Sequence, residues 1–133
     1  MVFVLDASVA VAWAFADEEH PMAAAALALL RSDEGHVPSL WWFEVRNVLI
    51  VNERRGRLRE TDTVLFLRSL ARLPIIVDHA PENEALLSLA RRHGLTVYDA
   101  AYLELSKRQA APLATLDVVL AQAARRENVP LVG

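Results

Sequence analysis

Three apolar segments of the chain each stop at an aspartate, namely Asp6, Asp78 and Asp117. In an open parallel sheet, ligands bind beyond the carboxyl ends of the strands, because the loops there expose side chains and helix N-termini. Taken singly, an aspartate after a strand is more simply a helix N-cap. The occurrence of several such aspartates in one chain indicates a site. Asp78 is not included in it, because we interpret Asp78 as the cap of a helix that begins at Pro81.

Two further acids stand in helical surroundings. Glu44 lies within an apolar helical stretch, where a carboxylate is costly to bury unless it is paired or bound to a cation. A pair with Arg46 or with another lysine or arginine of the chain, or simple exposure, is the alternative interpretation. Asp99 follows Tyr98 at the start of a predicted helix.

Carboxylates that share one place repel one another, so their cluster requires a cation or protonation. The chain has no cysteine, and its four histidines match no zinc spacing and are assigned to loop surfaces or caps. Oxygen ligands alone select a hard ion, Mg²⁺ with Mn²⁺ as a second choice. The chemistry indicated is metal-assisted hydrolysis, in which the ion lowers the pKa of a water molecule.

Hydroxyl side chains accompany two of these acids. Ser8 is predicted to cap the first helix and also to hold the Asp6 carboxylate or a water molecule. Thr115 precedes Asp117 by two residues, and strand alternation puts both side chains on one face.

The elements that position these residues are short apolar strands alternating with helices, which is typical of an α/β domain with a mainly parallel sheet. Clear strands are predicted at residues 2–5, 75–77 and 112–116, with shorter candidates at 36–39 and 129–132 and an ambiguous segment at 95–97. Helices are predicted at 9–15, 22–30, 40–55 with Gly56 ending the helix, from a cap at Thr61 or Asp62 to about 73, and at 81–92, 99–107 and 118–126.

Length and composition predict a single domain over residues 1–133 in the cytoplasm, with no membrane segment. The net charge of −3 argues against a general nucleic-acid binder. A local basic cluster, Arg54, Arg55, Arg57 and Arg59, is interpreted as a solvated helix end, with an RNA-binding track as the alternative.

Four segments of the chain resemble the pattern of PIN-domain ribonucleases. They are LDAS at the N-terminus, FEVRNVL in the third predicted helix, LTVYDAAYLELS before the last third, and LATLD near the end. In order and spacing they are similar to bacterial VapC toxins of type II toxin–antitoxin systems. The fold implied is a three-layer α/β/α PIN-like domain with a short, mainly parallel central sheet.

The resemblance also implies a function, endonucleolytic cleavage of RNA that leaves a 5′-phosphate. It carries over the following site residues: the catalytic and metal-binding acids Asp6, Glu44, Asp99 and Asp117, and the supporting hydroxyls Ser8 and Thr115. In this scheme Asp6 and Asp99 bind the ion most directly, and Glu44 or Asp117 assists in deprotonating water. Some members carry a further acid after the fourth, whereas this chain has valines, which argues against a well-filled second metal site.

Partners are implied by the same resemblance: an RNA substrate, a second copy of the chain and a VapB-like antitoxin whose helix occupies a hydrophobic groove. Trp41 and Trp42 are adjacent and cannot face the same side of a helix, so one of them is expected to point outward or into a partner. Trp42 is assigned equally to core and interface.

Two other enzyme classes are disfavoured by specific features of the sequence. A haloacid-dehalogenase phosphatase needs an acid where Ser8 stands, and no phosphate-binding loop motif is present. The remaining alternative is a non-catalytic PIN-fold binding module that acts through its partner surface.

Overall fold

A computed structural model describes all 133 residues, Met1 to Gly133. Its centre is a sheet of four strands in the order β3-β2-β1-β4. The strands are β1 (Val2–Leu5), β2 (Glu34–Pro38), β3 (Ile75–Asp78) and β4 (Leu113–Ala114). The helices are α1 (Ala7–Ala12), α2 (Pro21–Leu29), α3 (Leu40–Arg54), α4 (Glu60–Leu70), α5 (Asn83–His93), α6 (Val97–Gln109) and α7 (Val118–Arg126).

All strand pairs are parallel, and β1 lies between β2 and β4. Phe3, Val4 and Leu5 of β1 are almost fully buried, as a strand covered on both faces requires. Because parallel strands end at the same edge of a sheet, the residues that follow β1 and β4 emerge side by side. The predicted α/β fold with a short parallel sheet is therefore confirmed.

Helix α3 follows from the spacing of its apolar residues. Trp41, Val45 and Leu49 recur every four positions and are at most 4 % exposed. Burial of each such side chain contributes roughly 1.5–3 kcal/mol relative to exposure. Gly56 follows the C-cap Arg55 and has a φ of +76°, a left-handed conformation that glycine adopts without steric cost.

The start and end of α4 differ from the prediction. Its N-cap is Arg59, not Thr61 or Asp62. Asp62 is the third residue of the helix and accepts a 2.9 Å hydrogen bond from the backbone N–H of Arg59. The helix ends at Leu70, and turns rather than helix lead to Leu73.

The assignment of Asp78 to a helix cap was wrong. Its carboxylate accepts hydrogen bonds of 3.1 and 2.6 Å from the guanidinium of Arg108. Helix α5 begins at Asn83 with Glu82 as N-cap, two residues later than a start at Pro81. The charge of Asp78 is thus balanced by α6, and Asp78 belongs to a different set from the acids at the other strand ends.

The structure also shows the conformation of the shorter segments whose predicted secondary structure was ambiguous. Residues 34–38 form strand β2, and α6 already begins within the ambiguous segment, at Val97. Near the C-terminus, Leu131 makes only an isolated bridge to Leu113 instead of a strand. No helix combines the length and the apolar character needed to cross a lipid bilayer.

Candidate acidic site

Asp6 directly follows β1 and serves as the N-cap residue of α1. Its side chain is 7 % exposed, and Oδ2 accepts hydrogen bonds of 2.7 Å from the hydroxyls of both Ser8 and Thr115. The helix therefore begins before Ser8, which corrects the prediction that Ser8 is its cap. The other predicted role of Ser8, as a donor to the Asp6 carboxylate, is the one that the structure contains.

The same two hydroxyls also fix the backbone after β4. The Ser8 Oγ accepts a 3.0 Å hydrogen bond from the N–H of Leu116, and the Thr115 Oγ1 accepts one of the same length from the N–H of Asp117. Each hydroxyl thus donates to Asp6 and accepts from the β4 loop. The network joins the ends of β1 and β4 and places Asp117 beside Asp6.

Asp117 has the helix-capping role that sequence reasoning gave as the alternative to a role in the site. It is the N-cap of α7, and its Oδ1 accepts hydrogen bonds of 2.9 and 3.1 Å from the N–H groups of Val119 and Leu120. Capping engages Oδ1 and leaves Oδ2 available to a ligand. Because these backbone N–H groups hold the Asp117 carboxylate, the backbone of α7 sets the position of that carboxylate relative to Asp6.

Glu44 lies in the first part of α3 and accepts a 2.5 Å hydrogen bond from the hydroxyl of Tyr102, which is fully buried in α6. The alternative pair with Arg46 does not form. The Arg46 guanidinium lies 3.6 Å from the centre of the Trp42 ring and donates to the Trp42 carbonyl at 3.0 Å. Glu44 therefore has a neutral donor but no counter-ion.

Asp99 is the third residue of α6, whose N-cap is Thr96. The Asp99 backbone N–H donates a 3.0 Å hydrogen bond to the Thr96 hydroxyl, so the first turn is fixed. Tyr102 lies one turn further on the same helix. Residues three apart share a helix face, and α6 thus directs Asp99 and the partner of Glu44 toward the same place.

The pKa shifts of three of the acids indicate that the carboxylates lie near one another. Burial raises the pKa of Asp6, Glu44 and Asp99 above the ordinary value of a carboxyl group. Neighbouring carboxylates add to this: Asp117 raises the pKa of Asp6, and Asp6 and Asp99 raise that of Glu44. Asp117 and Asp6 likewise raise the pKa of Asp99. The pKa values of Asp6, Glu44 and Asp99 therefore each include the effect of at least one other carboxylate of the set.

No cation balances this negative charge. The ion pairs of the chain involve other acids and leave out Asp6, Glu44, Asp99 and Asp117. Four carboxylates with oxygen donors only are the ligand type that suits Mg²⁺ or Mn²⁺. The donor set thus fits a hard divalent ion, and the uncompensated charge gives that ion a physical reason to bind.

The carboxylates do not form a closed ligand shell by themselves. No three acidic or histidine side chains are close enough to hold one ion between them. Glu44 and Asp117 each direct one oxygen to a donor of the chain instead. Mutual repulsion favours such outward contacts, so ligation requires side-chain rotation toward the ion.

The histidines contact none of the four acids. His20 and His36 lie 3.6 and 3.2 Å from exposed glutamates. His93, in contrast to its predicted surface position, is 5 % exposed and lies 2.6 Å from Glu127. These positions give no zinc site.

Part of the basic cluster after α3 is neutralised within the chain. Arg57 lies 2.9 Å from Glu18 and stacks over the ring of Phe15 at 4.4 Å. Arg59 pairs with Asp62 at 3.5 Å. These contacts favour the helix-end interpretation of the cluster over an RNA-binding track.

Tyr102 is the site residue that sequence reasoning missed. Its signal was present, since it stands three residues after Asp99 within the Ala-Ala-Tyr-Leu segment of that helix, and a buried tyrosine hydroxyl needs a partner. The partner, Glu44, is 58 residues away in sequence. Only the packing of α6 against the rest of the domain brings the two together.

Comparison with known proteins gives a consistent result. The family model of the PIN domain matches residues 3–126. The chain is 34 % identical over 125 residues to Ribonuclease VapC3 from Pyrobaculum aerophilum, covering 92 % of this chain and 94 % of that protein.

Solved structures share the fold at lower identity. The crystal structure of PAE2754 from Pyrobaculum aerophilum superposes with a TM-score of 0.73 at 23 % identity, covering 92 % of this chain and 79 % of that one. The structure of VapBC2 from Rickettsia felis bound to a DNA fragment from their promoter gives a TM-score of 0.67 at 17 % identity, covering 98 % and 97 %. At these identities the likeness concerns the fold.

The matched range contains every acid of the site and both supporting hydroxyls. The family resemblance predicted from four short segments is thereby confirmed over the length of the chain. By its sequence match, its parallel sheet and its structural neighbours, the chain belongs to the PIN-domain family.

Proposed function

We propose that this chain is a metal-dependent endoribonuclease and the toxin of a toxin–antitoxin pair. The observation that carries the proposal is the buried carboxylate of Asp6, held by two hydroxyls and influenced by the charge of Asp117 with no cation nearby. A buried charge without a partner is costly and is characteristic of functional sites. The relative named Ribonuclease VapC3 supports the reaction class.

The proposed ion is Mg²⁺, or Mn²⁺ in its place. Asp6 and Asp99 are its most direct ligands, and Glu44 and Asp117 complete the site directly or through water. Ser8 and Thr115 keep Asp6 oriented, since both donate to its Oδ2 at 2.7 Å. Such supporting hydrogen bonds fix the ligand geometry and tune the ion's affinity.

When bound, the ion neutralises charge on a phosphodiester and lowers the pKa of the attacking water. The chain contributes a proton acceptor, for which Glu44 and Asp117 are the candidates. Burial raises the pKa of Glu44, which brings its proton affinity nearer to that required at neutral pH. Tyr102 orients Glu44 through its hydroxyl, and Asp117 is fixed as a helix cap. These features favour Glu44 as the acceptor.

The proposed protein partners are an antitoxin and a second copy of the chain. A cavity of about 450 Å³ lies between α1 and α2, lined by Trp13, Phe15 and Leu27 with Glu18 and Glu19 among its polar residues. Apolar walls with acidic residues suit an amphipathic helix that carries a basic side chain. The neighbouring VapBC2 structure supports a partner of this kind.

The decisive experiment is cleavage of structured RNA by the purified chain with Mg²⁺ and with EDTA. We expect cleavage that EDTA abolishes and that Asp99→Asn reduces by at least about a thousandfold. Asp17→Asn is the matched control, because the Asp17 side chain is 78 % exposed and lies outside the acidic site. Cleavage that persists with EDTA and in Asp99→Asn would show that the activity is a contaminant.

Expression in cells distinguishes the non-catalytic alternative. If the chain acts by cleavage, Asp6→Asn relieves growth arrest. If growth arrest is unchanged in Asp6→Asn, the protein acts through its binding surface, and the ribonuclease proposal fails.

A further inference from the structure

A small apolar pocket lies beside strand β3, on the face of the sheet that α3 and α4 cover. Its walls include Trp41 and Trp42 of α3, Leu67 and Leu70 of α4, and Ile75 and Val77 of β3, and Arg46 is its only charged residue. This edge pocket measures about 200 Å³. Pockets that enclose whole ligands usually measure roughly 300–1,000 Å³, so the edge pocket has room for a single large side chain.

The edge pocket is separate from the acidic site, although both use α3. Glu44 lies two positions from Trp42 and two from Arg46, and two positions correspond to about 200° around a helix. Trp42 and Arg46 share a face, since the guanidinium stacks over the ring at 3.6 Å. Helix α3 therefore presents Glu44 on one side and the wall of the edge pocket on the other. The pocket also has no residue in common with the cavity between α1 and α2.

Two polar groups in the walls have no matching partner in the chain. The indole N–H of Trp41 is buried without a hydrogen-bond acceptor, whereas buried donors are almost always paired. Arg46 donates to the Trp42 carbonyl at 3.0 Å but forms no ion pair. Burial lowers the pKa of Arg46, because no negative charge compensates for the loss of water around it. Both groups would be satisfied by an occupant that supplies carbonyl and carboxylate oxygens.

Strand β3 is the outer strand of the sheet, since it pairs only with β2. The Pro74 carbonyl accepts a 2.9 Å hydrogen bond from the N–H of Gly35 in β2. Because successive residues of a strand direct their backbone groups to opposite neighbours, the carbonyls of Ile75 and Val77 face the open edge. A strand added there bonds through its backbone, and every second side chain lies on the same face as the edge pocket.

We propose that an extended acidic segment of a partner protein docks along β3. Its backbone adds a strand to the sheet, one large apolar side chain fills the edge pocket, and a carboxylate two residues away pairs with Arg46. In this mode of binding the backbone hydrogen bonds supply affinity, and the pocket supplies selectivity. The inference concerns a surface other than the acidic site and does not depend on cleavage of RNA.

Charge favours this occupant over a second copy of the chain. If the same surfaces of two copies met, each Arg46 would be buried without a carboxylate, which is costly for a cation. A purely apolar partner has the same disadvantage. A segment that carries an acid beside its apolar side chain removes the cost, and complementary charge also excludes basic segments.

The test is a titration of the whole chain, labelled with ¹⁵N, with a synthetic peptide followed by NMR. The probe is acetyl-Thr-Glu-Thr-Phe-Thr-Glu-Thr-amide, whose alternation places both acids and the ring on one face of a strand. We expect the indole N–H signal of Trp41, assigned with Trp41→Phe, to move downfield as it gains an acceptor. The indole signal of Trp13, which already donates to the Ala23 carbonyl at 2.8 Å, should stay in place.

The charge of the pocket is tested by changing both partners. We expect Arg46→Gln to lower the affinity for the acidic peptide about tenfold, as the loss of a charge-assisted hydrogen bond predicts. It should not change the affinity for the peptide with both Glu replaced by Gln. Arg54→Gln is the matched control, because Arg54 is an exposed arginine of the same helix outside the pocket. The remaining amide signals show that each variant is folded.

The strand geometry has its own measurement. Hydrogen exchange of the Val77 amide should slow when the acidic peptide is bound, because that N–H gains an acceptor on the open edge. Unchanged exchange at Val77 would overturn the added strand. Equal affinities for the Glu and Gln peptides, or a shift of the Trp13 signal in place of that of Trp41, would overturn the inference as a whole.

A contact between copies of the chain gives a different result. If light scattering shows a dimer that Trp42→Ala or Arg46→Gln dissociates, a second copy occupies the edge pocket and the inference is wrong. A wild-type chain that binds no peptide at millimolar concentration also contradicts it. Because every readout is binding, these results are independent of whether the chain cleaves RNA.

Discussion

The hydroxyl of Tyr102 donates a 2.5 Å hydrogen bond to Glu44 and so joins α6 to α3 beside the other carboxylates. Tyr102 is fully buried, and its hydroxyl favours the ionised form of a glutamate whose burial opposes ionisation. This single contact connects the stability of the domain with the state of a proposed catalytic acid.

Tyr102→Phe removes that donor without changing the ring. A hydrogen bond to a charged group contributes roughly 1.5–3 kcal/mol, so we expect the free energy of unfolding in EDTA to fall by about 1–2 kcal/mol after relaxation. Urea denaturation followed by circular dichroism measures this. Tyr98→Phe is the control, since Tyr98 is 65 % exposed and its loss of a hydroxyl should leave stability unchanged. Equal values for the two variants would contradict a structural role for the Tyr102 hydroxyl.

The acidic site should make stability depend on pH when no divalent ion is present. The pKa values of Asp6, Glu44 and Asp99 are raised, so in the folded state these groups keep protons that the unfolded chain has lost. The free energy of unfolding therefore falls as pH rises from the ordinary carboxyl range through the raised values, and the penalty is complete above them. Asp99→Asn should reduce this fall, as measured by urea titrations in EDTA at about pH 5 and pH 8.

Divalent ions should offset the loss of stability that the ionised carboxylates cause. Binding to the folded state alone stabilises it by about 2.7 kcal/mol at a concentration one hundred times Kd. We expect Mg²⁺ to raise the Tm of the wild type and to leave that of Asp6→Asn nearly unchanged. A shift of equal size in both proteins would indicate a metal site elsewhere.

Thr115 supports the site from β4, and its removal should weaken activity without removing an acid. Thr115→Val deletes the donor to Asp6 and the acceptor for the Asp117 N–H. Loss of such a supporting contact typically reduces metal affinity or activity about 10- to 100-fold. Thr63→Val is matched, since the Thr63 hydroxyl donates a 2.7 Å bond to Glu53 outside the site. Cleavage rates over a series of Mg²⁺ concentrations distinguish the two.

A second dependence of the free energy of unfolding on pH, of opposite sign, is expected from Glu127, which is not one of the four site acids. Its side chain is 7 % exposed and is bound by Lys107, Arg92 and His93. The Lys107 ammonium, then the other two donors, lower the pKa of Glu127 from 4.5 to about 2. Its contribution is present above pH 4.5 and is lost as pH falls toward 2. Glu127→Gln should cost about 2 kcal/mol near neutral pH and much less in acid, whereas Glu84→Gln, at an exposed unpaired position, should cost little.

The alternation of strands and helices was predictable because local patterns determine it. Short apolar runs specified β1 and β3, and the left-handed Gly94 ends α5 where the sequence indicates. Helix starts were less predictable. Thr61 is a better N-cap type than Arg59, yet the contact between the Arg59 N–H and the Asp62 carboxylate sets the boundary two residues earlier.

The proximity of Asp6 and Asp117 also followed from sequence, since the parallel strands before them end at one edge of the sheet. What did not follow were contacts between distant segments. Arg108 binds Asp78 from 30 residues away, which turned a supposed helix cap into an ion pair. His93 is buried by Glu127 from 34 residues away. Such pairings depend on helix packing, which single-sequence periodicity does not encode.

Strand β4 pairs with β1 although more than a hundred residues separate them, and it brings Thr115 and Asp117 to Asp6. A growing polypeptide therefore lacks one of the four acids and one of the two supporting hydroxyls until the segment after β4 has left the ribosome. For an enzyme proposed to destroy RNA, this order of synthesis keeps the unfinished chain harmless to the message and the machinery that produce it.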